Sequence, residues 1–242
     1  MKKIFIFFLF IFIVTYLSAQ DWTEPIIISN TTGLDYNPSF CIDNNGIIHC
    51  VWKLKIESNF CKIYYSKSED DGETWCEPQD ISQNDEMWMG LPHIVSDSQN
   101  NLHVAYLYNA GNYLDSHIYF MKFNGVSWSE PYSISGNYVG VGMSDVVIDN
   151  NDRVYVFWHW GGPEGEIYYR YLENDEWSDI ICPYGNNSDQ YCLAEVVSDI
   201  NNNLHCIIDY HPENVGSRVS YIKYDYASDT WEGPIILATR RC

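Results

Sequence analysis

Ser39, His93, Asp145 and Glu195 occupy the same place in four similar phrases of this 242-residue chain. Two carboxylates and an imidazole converging on one point can work as a general acid/base set, provided their surroundings drive the two carboxyl pKa values apart. Asp145 and Glu195 as the acid/base pair, with His93 beside them, are therefore the candidate catalytic residues. A polar, water-filled centre is the alternative use of the same ring. A second group mixes aromatic rings with acids and amides in the connections between phrases: Trp88, Tyr138 and Tyr191 in one set, Tyr113, His159 and Trp160 in the other. Sugar C–H faces stack on aromatic rings while hydroxyls take charged or amide partners. These six are the candidate ligand-binding residues, and a glycan or other cell-surface ligand is the candidate partner. Aromatic residues make up 16% of the chain, so packing has an equal claim on Trp88 and Trp160.

The elements that must position them follow from an internal repeat. Trp22, Trp75, Trp128, Trp177 and Trp231 recur at a spacing of roughly fifty residues, three of them opening the phrases WTEP, WCEP and WSEP. Between them return PSFCIDNNGIIHCVW from Pro38, PHIVSDSQNNLHVAY from Pro92, SDVVIDNNDRVYVFW from Ser144 and AEVVSDINNNLHCII from Ala194. Each is an apolar strand, an Asp (Asp43, Asp97, Asp149, Asp199), an Asn-rich turn and a second strand; a third follows, as in CKIYYSKS and GEIYYRYL. Runs of Ile, Val, Tyr and Trp bounded by Asn, Asp and Gly are strand-and-turn chemistry. With a fourth strand starting near each Trp, every repeat encodes one blade of an antiparallel β-propeller. The expected fold is all-β, with about four blades of four strands. Five tryptophans open five outer strands against four sets of inner ones, so either the ring closes with a spare strand or the chain is an open arc of a larger propeller.

His49, His103 and His205 recur at one position, with Tyr155 as the fourth member, which points to packing repeated in every blade. The Asp-Asn turns begin like calcium loops but lack the closing Glu, so turn formation explains them better. No CxxC appears, which argues against zinc. No metal site and no cofactor is expected, Ca²⁺ being the weakly supported exception. Among the eight cysteines, Cys41 with Cys50, Cys61 with Cys76 and Cys182 with Cys192 are possible disulfides.

The segment Ser68 to Trp75, SEDDGETW, matches S-x-D-x-G-x-T-W at every specified position. Asp70 can accept backbone N–H bonds, Gly72 can supply a positive φ, and Trp75 can pack between blades. This is the Asp-box of bacterial neuraminidase repeats, and residues 22 to 237 resemble the sialidase/neuraminidase superfamily of BNR-repeat propellers. The resemblance implies that Ser68, Asp70, Gly72, Thr74 and Trp75 are structural, on the face opposite the active one. Family sialidases grip the substrate carboxylate with three arginines and use an Asp acid/base with a Tyr/Glu nucleophile pair. After the leader only Arg153, Arg170, Arg218, Arg240 and Arg241 are present, none opening a first strand, and no Phe-Arg-Ile-Pro phrase occurs. The reading is a sialidase-like propeller that binds carbohydrate or a surface ligand without sialidase activity. The alternatives are a glycoside hydrolase or polysaccharide lyase working from the central channel, and a scaffold or fragment of a longer secreted protein.

Lys2, Lys3, the apolar run from Ile4 to Val14 and Ala19 read as a secretory signal over residues 1–19, leaving one domain over 20–242. The run is shorter than the ~20 residues a membrane helix needs, so no anchor is expected after cleavage. A secreted or periplasmic protein follows. The formal charge of −20 makes nucleic acid an unfit partner.

Overall fold

The computed structural model describes residues 24–57, 60–83, 88–109, 113–160, 166–183, 190–211 and 218–238. The leader, Trp22 and the tail from residue 239 lie outside them. Four antiparallel sheets form, each of four strands in chain order. Blade 1 comprises β1 (Leu34–Ile42), β2 (Ile48–Glu57), β3 (Phe60–Ser68) and β4 (Gln79–Asp80). Blade 2 comprises β5 (Trp88–Ser96), β6 (Leu102–Asn109), β7 (Ser116–Phe123) and β8 (Tyr132–Ser133). Blade 3 comprises β9 (Val141–Ile148), β10 (Val154–Trp160), β11 (Ile167–Glu173) and β12 (Glu176–Trp177), and blade 4 β13 (Gln190–Ser198), β14 (Leu204–His211), β15 (Arg218–Asp225) and β16 (Thr230–Ala238). The chain is an all-β propeller, and its sheets do not close into a ring. Inner strands pack in succession, β1 on β5, β5 on β9 and β9 on β13, with no comparable contact between β13 and β1.

Apolar side chains on both faces of each sheet build the core between blades. Phe157, Trp158, Tyr155 and Tyr106 are almost completely buried, each worth about 1.5–3 kcal/mol of transfer free energy on leaving water. The recurring tryptophans tie each blade to the one before it. Trp128 meets Tyr65 of blade 1 edge-on at 5.4 Å, Trp177 meets Phe120 of blade 2 at 4.9 Å, and Trp231 meets Tyr169 of blade 3 at 5.7 Å. Trp75 has no preceding blade; it borders a hollow with Ile26, Ile27 and Ile28 instead. The fifth outer strand expected after Trp22 is not formed, because residues 24–33 make no strand and pair with no sheet. A β-ladder needs a neighbour, and all four sheets already have their outer strand.

The turns between first and second strands are built alike. Asp43, Asp97, Asp149 and Asp199 each accept two backbone N–H bonds on Oδ1, from the residues two and four positions on, at 2.8–3.0 Å. Consecutive turns are laced together: Asn44 N–H donates to Asn100 Oδ1 at 2.9 Å, Ser98 N–H to Asp152 Oδ1 at 2.7 Å and Asn150 N–H to Asn202 Oδ1 at 2.9 Å. The recurring histidines brace the same turns, His103 Nε2 lying 3.1 Å from Asp97 and His205 Nε2 3.2 Å from Asp199. Tyr65 and Tyr221 hydroxyls hold the other nitrogens of His49 and His205 at 2.8 and 2.6 Å.

The Ser68–Trp75 segment folds into a tight hydrogen-bonded turn. Asp70 accepts Thr74 N–H at 2.8 Å and the Thr74 hydroxyl at 2.6 Å, Ser68 Oγ accepts Gly72 N–H at 2.9 Å, and Gly72 has φ of 88°. Two of the three possible disulfides are absent, Cys41, Cys50, Cys61 and Cys76 being free thiols, and the pairing of Cys182 with Cys192 falls on a side chain outside the described residues. Burial pushes the Cys41 and Cys50 thiols up to about 12 and 11, so both behave as inert core residues. No helix among the described residues is long and apolar enough to cross a membrane.

Candidate functional site

Every inner strand carries a β-bulge ahead of its ring position. The register slips between Tyr36 and Ser39, between Gly90 and His93, between Leu193 and Glu195, and in β9 opposite Trp158 and His159. Asn37 and Leu91, inside two of these bulges, have φ of 52° and 51°. A leucine in the left-handed region is strained, so the surrounding ladder must hold it there. Beyond the bulge Ser39, His93, Asp145 and Glu195 stand opposite Val51, Ala105, Phe157 and Ile207, equivalent points of the four second strands.

The surroundings of Asp145 and Glu195 differ. Asp145 is 6% exposed and joined to three groups: Val146 N–H at 2.8 Å, Val196 N–H of the next blade at 2.8 Å, and His93 Nδ1 of the previous blade at 2.9 Å. Ser39 plays a related part, accepting Ile94 N–H at 3.3 Å. Glu195 is exposed, and no hydrogen bond or ion pair joins it to Asp145 among the described residues. Asp145 thus forms a His–Asp dyad with His93 across the junction of blades 2 and 3. Its carboxylate is fixed by the backbone, and its imidazole, 35% exposed, faces outward. An Asp holding one nitrogen of a histidine sets its tautomer and leaves the other nitrogen for proton transfer.

The aromatic group gathers at the end of β10. Trp160 and Tyr138 meet edge-on at 6.2 Å, and Tyr138 tilts onto Tyr168 at 4.8 Å. Trp160 Nε1 donates to Val139 O at 2.8 Å and its backbone N–H to Glu166 O at 2.9 Å, fixing the indole. Tyr168 donates a short hydrogen bond to the buried Glu166 carboxylate. Burial, and then that carboxylate, push the Tyr168 phenol up. Sequence reasoning missed Tyr168 and Glu166, since both read as ordinary third-strand residues. Burial depresses the pKa of His159, which keeps it neutral near pH 7. Trp88 at the start of β5, Tyr113 in a 3-10 turn after β6, and Tyr191 in β13 are placed by their backbone alone. Trp88 pairs with Asn109, Tyr191 with Tyr210 and Trp160 with Val141, so the three belong to the same end of their blades.

Arg153 and Arg170 are committed elsewhere. Arg153 pairs with Glu173 at 2.6 Å, and Arg170 donates to the carbonyls of Ser178 and Ile134 at 2.7 and 3.2 Å. A cavity of about 680 Å³ between blades 1 and 2, bordered by Asp43, His49, Tyr65 and Trp128, opens at the turn end, away from Trp160. Among the described residues no three His, Cys, Asp or Glu side chains converge as a metal site would require.

No family model and no curated protein matches the sequence. Solved structures do match its fold. The leech intramolecular trans-sialidase, complexed with 2,7-anhydro-Neu5Ac, superposes with a TM-score of 0.64 at 10% identity over 90% of this chain and 54% of its own. A polysaccharide lyase of family PL25, an ulvan lyase, gives 0.62 at 14% identity over 84% and 56%. The GH93 α-L-arabinofuranosidase of Fusarium graminearum, in complex with arabinobiose, gives 0.59 at 12% identity over 82% and 65%. The chain spans roughly half to two-thirds of the length of these proteins, and at such identities the likeness is one of fold.

Proposed function

We propose that this chain is an exported carbohydrate-binding propeller that receives its glycan on the blade end carrying Tyr138 and Trp160, and that it lacks sialidase activity. The observation that carries the reading is the Tyr138–Trp160–Tyr168 cluster, with its indole fixed by Val139 and a buried carboxylate beneath it. Rigid aromatic surface beside hydrogen-bonding groups suits a sugar ring, and preorganisation limits the entropy lost on binding. Propeller neighbours that act on or hold carbohydrates support the same class of ligand. The contacts of Arg153 and Arg170 speak against a carboxylate clamp on this face. Export rests on the leader of Lys2, Lys3 and the apolar run after them.

A glycan array probed with the mature protein, with Trp160→Ala and Tyr138→Ala in parallel, tests this. Each variant is expected to weaken the retained glycan at least tenfold. A wild-type protein that retains none, or variants that bind as it does, overturns the reading. The His93–Asp145 dyad favours a second reading, hydrolysis or elimination on a polysaccharide from the channel. Turnover of polymeric substrates that vanishes in His93→Ala would support it, and turnover indifferent to that change would remove it.

A further inference from the structure

Blade 3 departs from its sisters at three neighbouring positions. Where blades 1, 2 and 4 carry His49, His103 and His205, it has Tyr155; where they carry Lys67, Lys122 and Lys223 in the third strand, it has Tyr171. Four residues after the turn Asp, where blades 2 and 4 have Asn101 and Asn203, stands Arg153. Tyr155 still braces the turn, its hydroxyl donating to Asp149 Oδ2 at 3.4 Å, but the other blades brace theirs without an arginine or a second tyrosine, so bracing does not account for Arg153 and Tyr171. Hollows bordered by the sister residues lie at the other two junctions, beside His49 and Lys67 and beside His103 and Lys122. At the junction of blades 3 and 4 the three departures instead line an open cleft of about 410 Å³ with phenol rings and a guanidinium. Its floor is the buried Tyr155, Tyr169 and Tyr224, its walls are the half-buried Tyr171 and Tyr226, and Asp229 stands at its rim.

We propose that this cleft is a second carbohydrate site, taking one or two rings of a neutral glycan. It lies at the opposite end of β10 from Trp160 and does not depend on the reading given to that residue. The rings are held in place before any ligand arrives. Arg153 stacks over Tyr171 at 4.6 Å and reaches Tyr226 at 5.5 Å, anchored by Glu173 at 2.6 Å. Asn151 Nδ2 donates to Tyr226 OH at 3.2 Å, and Tyr224 OH to Asp229 at 2.7 Å. Phenol faces offer stacking surface, while Asp229 and the phenol oxygens offer acceptors and donors for sugar hydroxyls. The single guanidinium of the lining is already paired with Glu173, and Asp229 adds a negative charge at the rim, which selects against acidic sugars.

Calorimetric titration of the mature protein with xylotriose, cellotriose, arabinotriose and mannotriose tests the proposal, with trigalacturonate and a proline-rich peptide as counter-probes. At least one neutral trisaccharide is expected to bind, with affinity falling tenfold or more in Tyr171→Ala and Tyr226→Ala. Selective labelling of tyrosine in the wild-type protein gives an independent readout, since the same sugar must shift the resonances of Tyr171 and Tyr226. Four results would overturn the site: no binding of any neutral trisaccharide, preference for trigalacturonate or the peptide, shifts that spare these tyrosines, or binding lost in Trp160→Ala and kept in Tyr171→Ala.

Discussion

Replacing Asp145 by alanine separates the structural and chemical roles of the dyad. The carboxylate is buried and satisfies the backbone N–H groups of Val146 and Val196, themselves in the core at 6% and 4% exposure. Leaving a buried donor unpaired costs about 1–3 kcal/mol, so Asp145→Ala is expected to lower stability by about 2–5 kcal/mol. Asp145→Asn keeps one acceptor oxygen and is expected to cost about 1–2 kcal/mol. His93→Ala leaves both backbone bonds intact and removes a partner that is a third exposed, so its cost is expected to stay under about 1 kcal/mol. Urea unfolding of the three variants and the wild type at 25 °C and pH 7 measures the series. An Asp145→Ala protein within about 1 kcal/mol of wild type would refute the idea that this carboxylate holds the junction of blades 3 and 4. A His93→Ala cost equal to that of Asp145→Ala would refute the division of roles.

Burial works against the charge of Asp97, but hydrogen bonds from His103 and Asn101 outweigh it and hold the carboxyl at about 2, below its ordinary 3.8. A depressed folded-state pKa stabilises above the unfolded value, so about 2 kcal/mol should be lost as the pH falls from about 4 towards 2, and Asp97→Asn should flatten that part of the melting profile. Gly233 has φ of 111°, and a Cβ there would sit 2.9 Å from the carbonyl oxygen of Tyr221, whereas Gly125 at 87° has open space around it. Gly233→Ala is expected to cost about 1–3 kcal/mol more than Gly125→Ala in denaturant melts. Phe40 is 68% exposed on the uncovered side of blade 1, while Ile94, Val146 and Val196 at the same repeat position are 3%, 6% and 4% exposed. Phe40→Asp should change stability by less than about 0.5 kcal/mol and Ile94→Asp by more than about 3 kcal/mol; similar costs would mean that the end face is covered in solution.

The three inner strands of each blade are legible in the sequence because their signals are local. Alternating Ile, Val and Tyr set the strands, and Asp43, Asp97, Asp149 and Asp199 nucleate the turns by accepting N–H bonds from residues only two and four positions away. The outer strands are less legible. Trp22 opens the same phrase as Trp75, yet residues 24–33 make no strand, since a ladder depends on a sheet edge and not on the phrase itself. The candidate site divides in the same way. The level of Ser39, His93, Asp145 and Glu195 follows from the repeat, but which of them meet depends on bulges that turn each strand and on contacts between residues some fifty positions apart. So His93 and Asp145 join while Glu195 faces solvent. Tyr138 and Trp160 could be chosen from the loops, whereas Glu166 and Tyr168 beneath them gain meaning only once the sheet brings them there. The cleft beside Arg153 shows the complementary limit. Its broken pattern at Arg153, Tyr155 and Tyr171 is visible to anyone who aligns the four repeats, but its walls are completed by Tyr224 and Tyr226 of the next blade. In a repeat protein, departures from the pattern mark where to look, and the neighbouring blade decides what is found there.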